Sequence, residues 1–252
     1  MSLVETESLI LKSYNLAEAD RIVVLLTHDH GVVRGVAKGA KRLLSKFGSG
    51  LESFTTVRAT YFQKESRELV SIEKVELVRS FFRSASDPDF LNKFSYLSDI
   101  LIAFSPPHDP NETLYRMVKA CLQTADERPD GLLAIGVYFE LWLLQLSGYL
   151  PDWSRCDECG RVFEPAEDAS VQVNFHLLCS GCRRASGGRT MSGVHREIFT
   201  SARRLSPDNF AGAFTARAAE LSELSIILKR IISQALGREI TDERVAAGYN
   251  TI

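Results

Sequence analysis

Four of the five cysteines form two C-x2-C pairs, CDECG starting at Cys156 and CSGC starting at Cys179, with nineteen residues between the pairs. Two residues between thiolates let one tight turn present both sulfurs to the same ion, and two such turns complete a tetrahedral shell. Gly160 and Gly181 provide the backbone freedom that such turns require. The pattern therefore predicts a structural Zn2+ site whose ligands are Cys156, Cys159, Cys179 and Cys182.

Four thiolate ligands leave no open coordination position, so the predicted ion stabilises structure and does not activate water. Unrelated reduced thiols and disulfides are the alternatives, and a reducing compartment disfavours the disulfides. A redox-active C-x2-C would stand at the strand-to-helix junction of a βαβ unit, a pattern that surrounds neither pair. Cys121 falls on the apolar face of a predicted helix, which favours a packed core thiol. Apolar residues between the pairs predict a small hairpin that shelters the ion: Phe163, Val171, Val173 and Phe175.

A second chemical feature is the stretch from residue 32 to residue 50, VVRGVAKGAKRLLSKFGSG, which contains five cations and no carboxylate. No Asp or Glu occurs between Asp29 and Glu52, although the net charge of the whole chain is −2. The cations therefore act as one local positive field. They are Arg34, Lys38, Lys41, Arg42 and Lys46.

An ordinary solvated surface is the alternative interpretation of such a charge run, but the placement of the cations favours a ligand. If VVRGVAK is a strand, Arg34, Val36 and Lys38 project to one side, and the following loop adds the other cations nearby. A face of this kind neutralises several phosphates, so we predict nucleic-acid binding that weakens as salt rises. Nothing in the stretch reads bases, so binding should not depend on sequence. Phe47 and Phe62 are candidates either for stacking on bases or for the core.

Five short β-like segments before residue 80 must position these cations: SLILKSYN, DRIVVLLT, VVRGVAKG, SFTTVRATYF and ELVSIEKVEL. The tripeptide DHG supplies a turn between the second and the third segments, which predicts a hairpin. A longer loop, from about residue 40 to residue 52, separates the third from the fourth. Five strands in so small a region predict a closed barrel such as an OB-fold.

After SASDPD the hydrophobic period becomes helical, and helices are predicted from Asp89 to Phe104, from Asn111 to Ala125 and from Gly131 to Ser147. The third contains LLAIGVYFELWLLQL, which is shorter than a bilayer requires and includes Glu140 and Gln145. We interpret it as a buried helix. A long amphipathic C-terminal helix is predicted from apolar residues at steps of three and four: Phe214, Ala218, Leu221, Leu224, Leu228, Ile231 and Ala235.

The order of these elements predicts an α+β multidomain chain. An OB-fold DNA-binding domain would occupy residues 1–80 and a helical domain residues 81–150, followed by a four-cysteine zinc module at 151–190 and the rest of the helical domain at 191–252. The composition, 45% hydrophobic and 25% charged, is typical of a globular protein. The opening residues MSLVETES carry acids where a signal peptide needs cations, so we expect a cytoplasmic protein.

Motifs of common enzyme classes do not match the sequence. A phosphate loop requires G-x4-G-K-[ST], and GVAKGAKRL does not fit; the glycine spacing also differs from a dinucleotide fingerprint. A zinc deaminase has a His-x-Glu beside its ligands, where this chain has HLLC. The five histidines are scattered. We therefore predict a protein that is not an enzyme.

The arrangement of barrel, helical domain and embedded cysteine module resembles the RecO family of bacterial DNA repair proteins. The resemblance rests on AEADRIVVLLTHDHGVVRGVAKGAKR, with its strand, T-x-x-x-G and Gly-rich basic segment, and on SGYLPDWSRCDECG with the second C-x2-C. It covers nearly the whole chain. Family members place their basic barrel segment at the five cations named above and their zinc ligands at the four cysteines, although some members lack the cysteines.

The resemblance implies a non-enzymatic recombination mediator. Such a protein binds single- and double-stranded DNA, anneals complementary strands and acts with RecR to help load RecA onto DNA coated with single-strand-binding protein. It also implies that the C-terminal tail of single-strand-binding protein docks on the helical domain, and that the protein is associated with the nucleoid. A zinc-stabilised nucleic-acid or protein-interaction module without annealing activity is the alternative.

Overall fold

A computed structural model describes residues 2–16, 18–63, 68–183 and 189–238 of the chain. These residues form two compact units, of which the first ends at Glu127 and the second begins at Arg128. Predictions for residues 239–252 lie outside the described part of the chain. The division into four domains drawn from the sequence stays a prediction.

The first unit contains a closed five-stranded barrel in the order β1-β2-β3-β5-β4. Its strands are β1 (Ser2–Asn15), β2 (Arg21–Thr27), β3 (Gly31–Ala37), β4 (Thr56–Gln63) and β5 (Leu69–Arg79). All neighbouring strands are antiparallel except β3 and β5, which are parallel, and β1 pairs with both β2 and β4. The predicted hairpin of β2 and β3 and the predicted barrel are confirmed.

The barrel closes because β1 is long enough to serve two neighbours and bends between them. Its register with β2 shifts between Ile10 and Lys12, which marks an irregularity of the kind that bends a strand. The interior is filled by alternate apolar residues of the strands, such as Val23, Leu25 and Val33, each fully buried. Alternation therefore leaves the other side chains of each strand on the outside of the barrel.

Three helices follow the barrel in the first unit: α1 (Phe82–Ala85), α2 (Pro88–Phe104) and α3 (Glu112–Glu127). The side chain of Asp87 caps α2 by accepting hydrogen bonds from the backbone N–H of Asp89 and of Phe90. α2 packs on the barrel, where Phe90 and Phe94 contact the ring of Phe54. The buried amine of Lys12 on β1 forms an ion pair with Asp99 of the same helix.

The described residues of the second unit form four α-helices, a short 3-10 helix (Pro129–Gly131) and a small sheet. The α-helices are α4 (Leu132–Leu146), α5 (Gly193–Ala202), α6 (Pro207–Phe214) and α7 (Ala218–Leu236). The strands β6 (Ala169–Val171), β7 (Leu177–Leu178) and β8 (Thr190–Met191) form a sheet in the order β7-β6-β8.

The apolar segment predicted as a buried helix is α4, and ten of its residues are buried. Within the described ranges, no helix is both long enough and apolar enough to cross a membrane. The predicted C-terminal helix is two helices in the structure, because Phe214 ends α6 and Ala218 begins α7. The predicted α+β fold, a barrel followed by helices with a cysteine module, is confirmed.

Candidate nucleic-acid interface and metal site

Strand β3 presents its charge as the sequence predicts. Val33, Gly35 and Ala37 point into the barrel and are buried, whereas Arg34 is exposed on the outer face. Lys38 follows directly after the strand and is also exposed. The interior side at Gly35 is crowded, since a Cβ there would lie 2.7 Å from Ile72 Cγ1 and 2.8 Å from Val70 Cγ2. Glycine thus allows β3 to pack closely against β5.

The loop after β3 starts from a fixed position. The backbone N–H of Gly39 donates to the Asp20 carboxylate at 2.8 Å, and the N–H of Lys41 donates to the carbonyl of Ala19 at 3.0 Å. Gly39 has a positive φ of 70°, which suits glycine at this bend. The start of the loop is therefore held against the connection between β1 and β2.

The rest of the loop is a succession of turns anchored by two apolar side chains. Phe47 and Leu51 are 4% and 1% exposed and belong to the barrel core. Of the two interpretations left open for Phe47, the structure supports the core: the turns direct the ring inward, where it fills the barrel. Phe62 is half-buried on β4. The four loop cations nevertheless remain exposed: Lys38, Lys41, Arg42 and Lys46.

Part of the positive field is compensated by residues distant in sequence. Lys46 Nζ lies 3.5 Å from Glu73 Oε2, with both side chains exposed. An exposed pair of this kind contributes at most about 1 kcal/mol and is screened by salt, so a phosphate can replace Glu73. Arg34, Lys38 and Arg42 form no salt bridge with any acid in the ranges that the structure describes. Three cations of the basic segment (Arg34, Lys38, Lys41, Arg42 and Lys46) can thus meet a phosphate without displacing an acid: Arg34, Lys38 and Arg42.

The four cysteines predicted as ligands lie together in the second unit. One ligand atom from each of Cys156, Cys159, Cys179 and Cys182 lies within 4.8 Å of the others. The sulfurs of Cys159 and Cys179 are 3.9 Å apart. Zinc–sulfur bonds of ~2.3 Å place the corners of a tetrahedron ~3.8 Å apart, so the donor set and its spacing fit one zinc ion.

Two tight turns shape this cluster. The Gly160 N–H donates to the carbonyl of Cys156 at 2.9 Å, and Gly160 has a φ of +72°. In the second turn the Cys182 N–H donates to the carbonyl of Cys179 at 3.1 Å. Cys156 Sγ also accepts from the backbone N–H of Cys179 at 3.4 Å. Backbone N–H groups also donate to the sulfurs of Cys156 and Cys179, which favours their thiolate forms.

The electrostatics of the cluster favour at least one thiolate. Burial raises the pKa of Cys179, but the backbone N–H groups of Cys182 and Gly181 and the Arg161 guanidinium outweigh burial and bring this pKa to about 6. Hydrogen bonds from Cys182 to Cys179 and Cys159 raise the pKa of Cys182 to about 12. The sulfurs thus share their protons unequally, and a bound cation would displace the remaining protons.

The predicted hairpin between the cysteine pairs is formed by β6 and β7, with Ser170 opposite Leu178. The Asp157 N–H donates to the carbonyl of Leu177 at 2.9 Å and joins the first cysteine turn to this hairpin. Phe163 is buried, as expected of a shelter for the ion. Val173 is 95% exposed at the connection of the hairpin and shelters nothing, which corrects that part of the prediction.

Two supporting residues of the module were missed in the sequence. Trp153 is fully buried and donates from Nε1 to the carbonyl of Phe175 at 2.8 Å. Arg196 of α5 is also buried, and its Nη2 donates to the carbonyls of Glu164, at 2.7 Å, and of Glu167. Burial lowers the pKa of Arg196. The signal available in the sequence was a cation on the apolar side of a helical pattern. In the structure this residue, Arg196, is a buried link between α5 and the cysteine module.

Comparison with known proteins agrees with this architecture. The family profile described as "Recombination protein O N terminal" matches residues 1–81, and "Recombination protein O C terminal" matches residues 86–244. The chain belongs to the Recombination protein O (RecO) family. The resemblance predicted from the basic segment and the cysteine pairs is therefore confirmed.

Similar RecO proteins include three curated relatives, each named DNA repair protein RecO. The relative from Koribacter versatilis is 28% identical over 243 residues, which cover 94% of this chain and 95% of the relative. The relative from Rubrobacter xylanophilus is 32% identical and covers 73% of each chain. The relative from Clostridium novyi is 31% identical over 74% of this chain and 72% of its own.

Proposed function

We propose that this chain is a non-enzymatic DNA repair protein that binds single- and double-stranded DNA through its basic segment. Membership of the RecO family supports a role in recombinational repair. The observation that carries the proposal is the set of exposed cations on β3 and its loop, fixed at one end by Asp20 and anchored in the barrel by Phe47. Small barrels of this kind commonly receive nucleic acid on this part of their surface.

The mechanism of binding is electrostatic. Each cation that neutralises a phosphate releases a counterion, so affinity falls as salt rises. If all five cations each engage one phosphate, the log–log slope against salt should be about −3.5 on a single strand and about −4.5 on a duplex. The same cations lower the mutual repulsion of two strands, which allows complementary bases to pair. Strand annealing follows because the cations reduce the repulsion between the phosphates of the two strands.

The partners proposed for the chain come from its family. It would act with RecR to help load RecA onto DNA coated with single-strand-binding protein, and the C-terminal tail of that protein would dock on the helical domain. The basic segment would hold the exposed strand while the partner proteins exchange on it. Binding and annealing can be measured without these partners, and partner-dependent loading is the further step of the same proposal.

The four cysteines are proposed to hold one structural Zn2+ ion. Their mutual distances and tight turns support this assignment, and four thiolates make a closed site. The ion would join the two cysteine turns and the β6–β7 hairpin into one folded module. It would not take part in chemistry.

A strand-annealing assay with charge-reversal variants tests the function. The variant Lys38→Glu/Lys41→Glu/Arg42→Glu should lose both DNA binding and annealing while its folding and metal content stay unchanged. The matched control, Arg83→Glu/Arg204→Glu/Arg230→Glu, reverses three exposed cations outside the basic segment and should bind as the wild type does. Unchanged affinity in the first variant would refute this surface as the DNA interface.

A further inference from the structure

Two leucines at the tip of the basic loop are fully exposed. Leu43 is 101% exposed and Leu44 95%, so the part of the chain that the structure describes leaves both side chains uncovered. They occupy the two central positions of a turn that is closed by the Ser45 N–H donating to the Arg42 carbonyl at 3.0 Å. Such positions favour glycine, asparagine, aspartate or proline. Adjacent leucines there expose apolar surface that the turn itself does not require.

The leucines do not anchor the loop. That role belongs to Phe47 and Leu51, which are buried in the barrel core, and to the hydrogen bond between Gly39 and Asp20. The tip therefore keeps its position without the two side chains. Removing them should leave the fold intact, so they are available to contact a ligand.

The surroundings of the tip define the chemistry of that ligand. Lys41 and Arg42 precede the leucines, Lys46 follows two residues after Leu44, and all three cations are exposed. The ligand must therefore be a polyanion that also offers apolar surface. A single DNA strand meets both conditions, because its phosphates are anionic and the faces of its unpaired bases are flat and apolar.

We infer that Leu43 and Leu44 form a wedge that enters between successive bases of a single strand whose phosphates lie on the basic segment. This inference rests on the proposed DNA-binding function and adds to it a direct contact with bases. Apolar side chains of other DNA-binding proteins separate base steps in this way. A duplex must lose stacking and pairing to admit the wedge, so the contact favours unpaired strands. It would hold bases apart and accessible to a complementary strand.

The shape of the tip distinguishes bases from an acidic peptide with apolar side chains. Apolar side chains of a peptide need a concave pocket, whereas the leucines stand on a turn with both side chains entirely in solvent. A ligand that opens around a protruding pair can bury it. Two neighbouring bases can do so.

The test uses an oligonucleotide that contains 2-aminopurine, whose fluorescence rises when its stacking is lost. Wild-type protein should raise the fluorescence on binding, and the variant Leu43→Ser/Leu44→Ser should bind about tenfold more weakly and give no rise. The salt slope of the variant should equal that of the wild type, because all five cations remain. Leu43→Met/Leu44→Met should keep the signal, and Val173→Ser, a change at an apolar side chain exposed to the same extent, should leave it unaltered.

The outcomes separate this inference from the proposed function. Wild-type binding without a rise in fluorescence, or a rise that persists in the serine variant, overturns the wedge and leaves DNA binding intact. No binding by the wild type in dilute buffer overturns both. A fluorescein-labelled peptide of alternating Asp and Phe provides the last arm. Loss of peptide binding in the serine variant with retention of the fluorescence rise would make the tip a peptide site and overturn the wedge.

Discussion

The carboxylate of Asp20 accepts a hydrogen bond from the backbone N–H of Gly39 at 2.8 Å and so joins the β1–β2 connection to the first residue after Lys38. This bond spans nineteen residues of sequence. The Asp20 carboxylate thus lies beside the basic segment but forms no ion pair with Arg34, Lys38 or Arg42. A single carboxylate thus orders the segment while leaving those cations available to phosphate.

Two replacements of Asp20 should distinguish its hydrogen bond, which orders the loop, from its negative charge. Asp20→Ala removes the acceptor, so the amides of Gly39 and Lys41 should exchange with deuterium faster. Asp20→Asn removes the same charge but keeps a side-chain oxygen that can accept the bond, so exchange should stay close to the wild-type rate. In both variants the affinity for DNA should fall with rising salt at least as steeply as it does in the wild type. Equal exchange in the two variants would show that the bond does not order the loop.

Gly35 should tolerate no side chain, because a Cβ would approach Ile72 and Val70 at 2.7 and 2.8 Å. Gly35→Ala is expected to reduce the free energy of unfolding by about 1–3 kcal/mol through overpacking between β3 and β5. Urea denaturation measures the change. Gly212→Ala is the control: this glycine is exposed in α6, an added Cβ would meet only Arg128 Nη1 at 4.0 Å, and alanine should stabilise the helix by about 0.5–1 kcal/mol. Similar losses in both variants would contradict the packing argument.

The features that the sequence predicted correctly are those with a local physical cause. Alternation along VVRGVAK predicts which side of β3 carries Arg34, because successive side chains of a strand face opposite sides. The spacing of the cysteine pairs predicts a cluster, because each pair needs only one turn to bring its sulfurs together. The succession of strands and then helices predicts the fold class for the same reason: each signal is contained within a few residues.

The features that were missed or left open depend on partners distant in the chain. Phe47 lies between lysine and glycine in an irregular loop, so no periodic pattern reveals that the barrel core buries it. Glu73 reaches Lys46 across 27 residues of sequence. The break between α6 and α7 is hidden because Phe214 and Ala218 are four residues apart, the spacing of one continuous helix. Only the folded chain shows these relationships.

Metal analysis tests the assignment of the cysteines. Protein purified under reducing conditions should contain about one zinc ion per chain, and Cys179→Ser should lose it. The second unit should then unfold before the barrel, because a structural site contributes its binding free energy to folding. Cys121→Ala is the matched control, since Cys121 is buried in α3 and separate from the cluster, and its zinc content should equal that of the wild type. Absence of metal from the wild type would contradict the ligand assignment.

Stability in acid should depend on Glu7 of β1, which accepts hydrogen bonds from Tyr115 at 2.8 Å and from Lys119 at 2.5 Å. Burial raises the pKa of Glu7, but the bonds from Lys119 and Tyr115 outweigh it, so this pKa lies below its ordinary value. A lowered carboxyl pKa gives stability that is present above the unfolded pKa of about 4.3 and is lost as pH falls through the folded pKa.

Glu7→Gln should therefore be less stable than the wild type near neutral pH, by about 1 kcal/mol or less because the pair is partly exposed to solvent. The difference should shrink once the pH falls below the unfolded pKa, because the wild-type carboxylate then takes up a proton and loses its advantage. Urea denaturation at a series of pH values measures it. Glu5→Gln, a change at an exposed position of the same strand, leaves Tyr115 and Lys119 untouched and serves as the control. If the difference between Glu7→Gln and the wild type is the same in acid as at neutral pH, the Glu7 carboxylate does not stabilise the contact between β1 and α3.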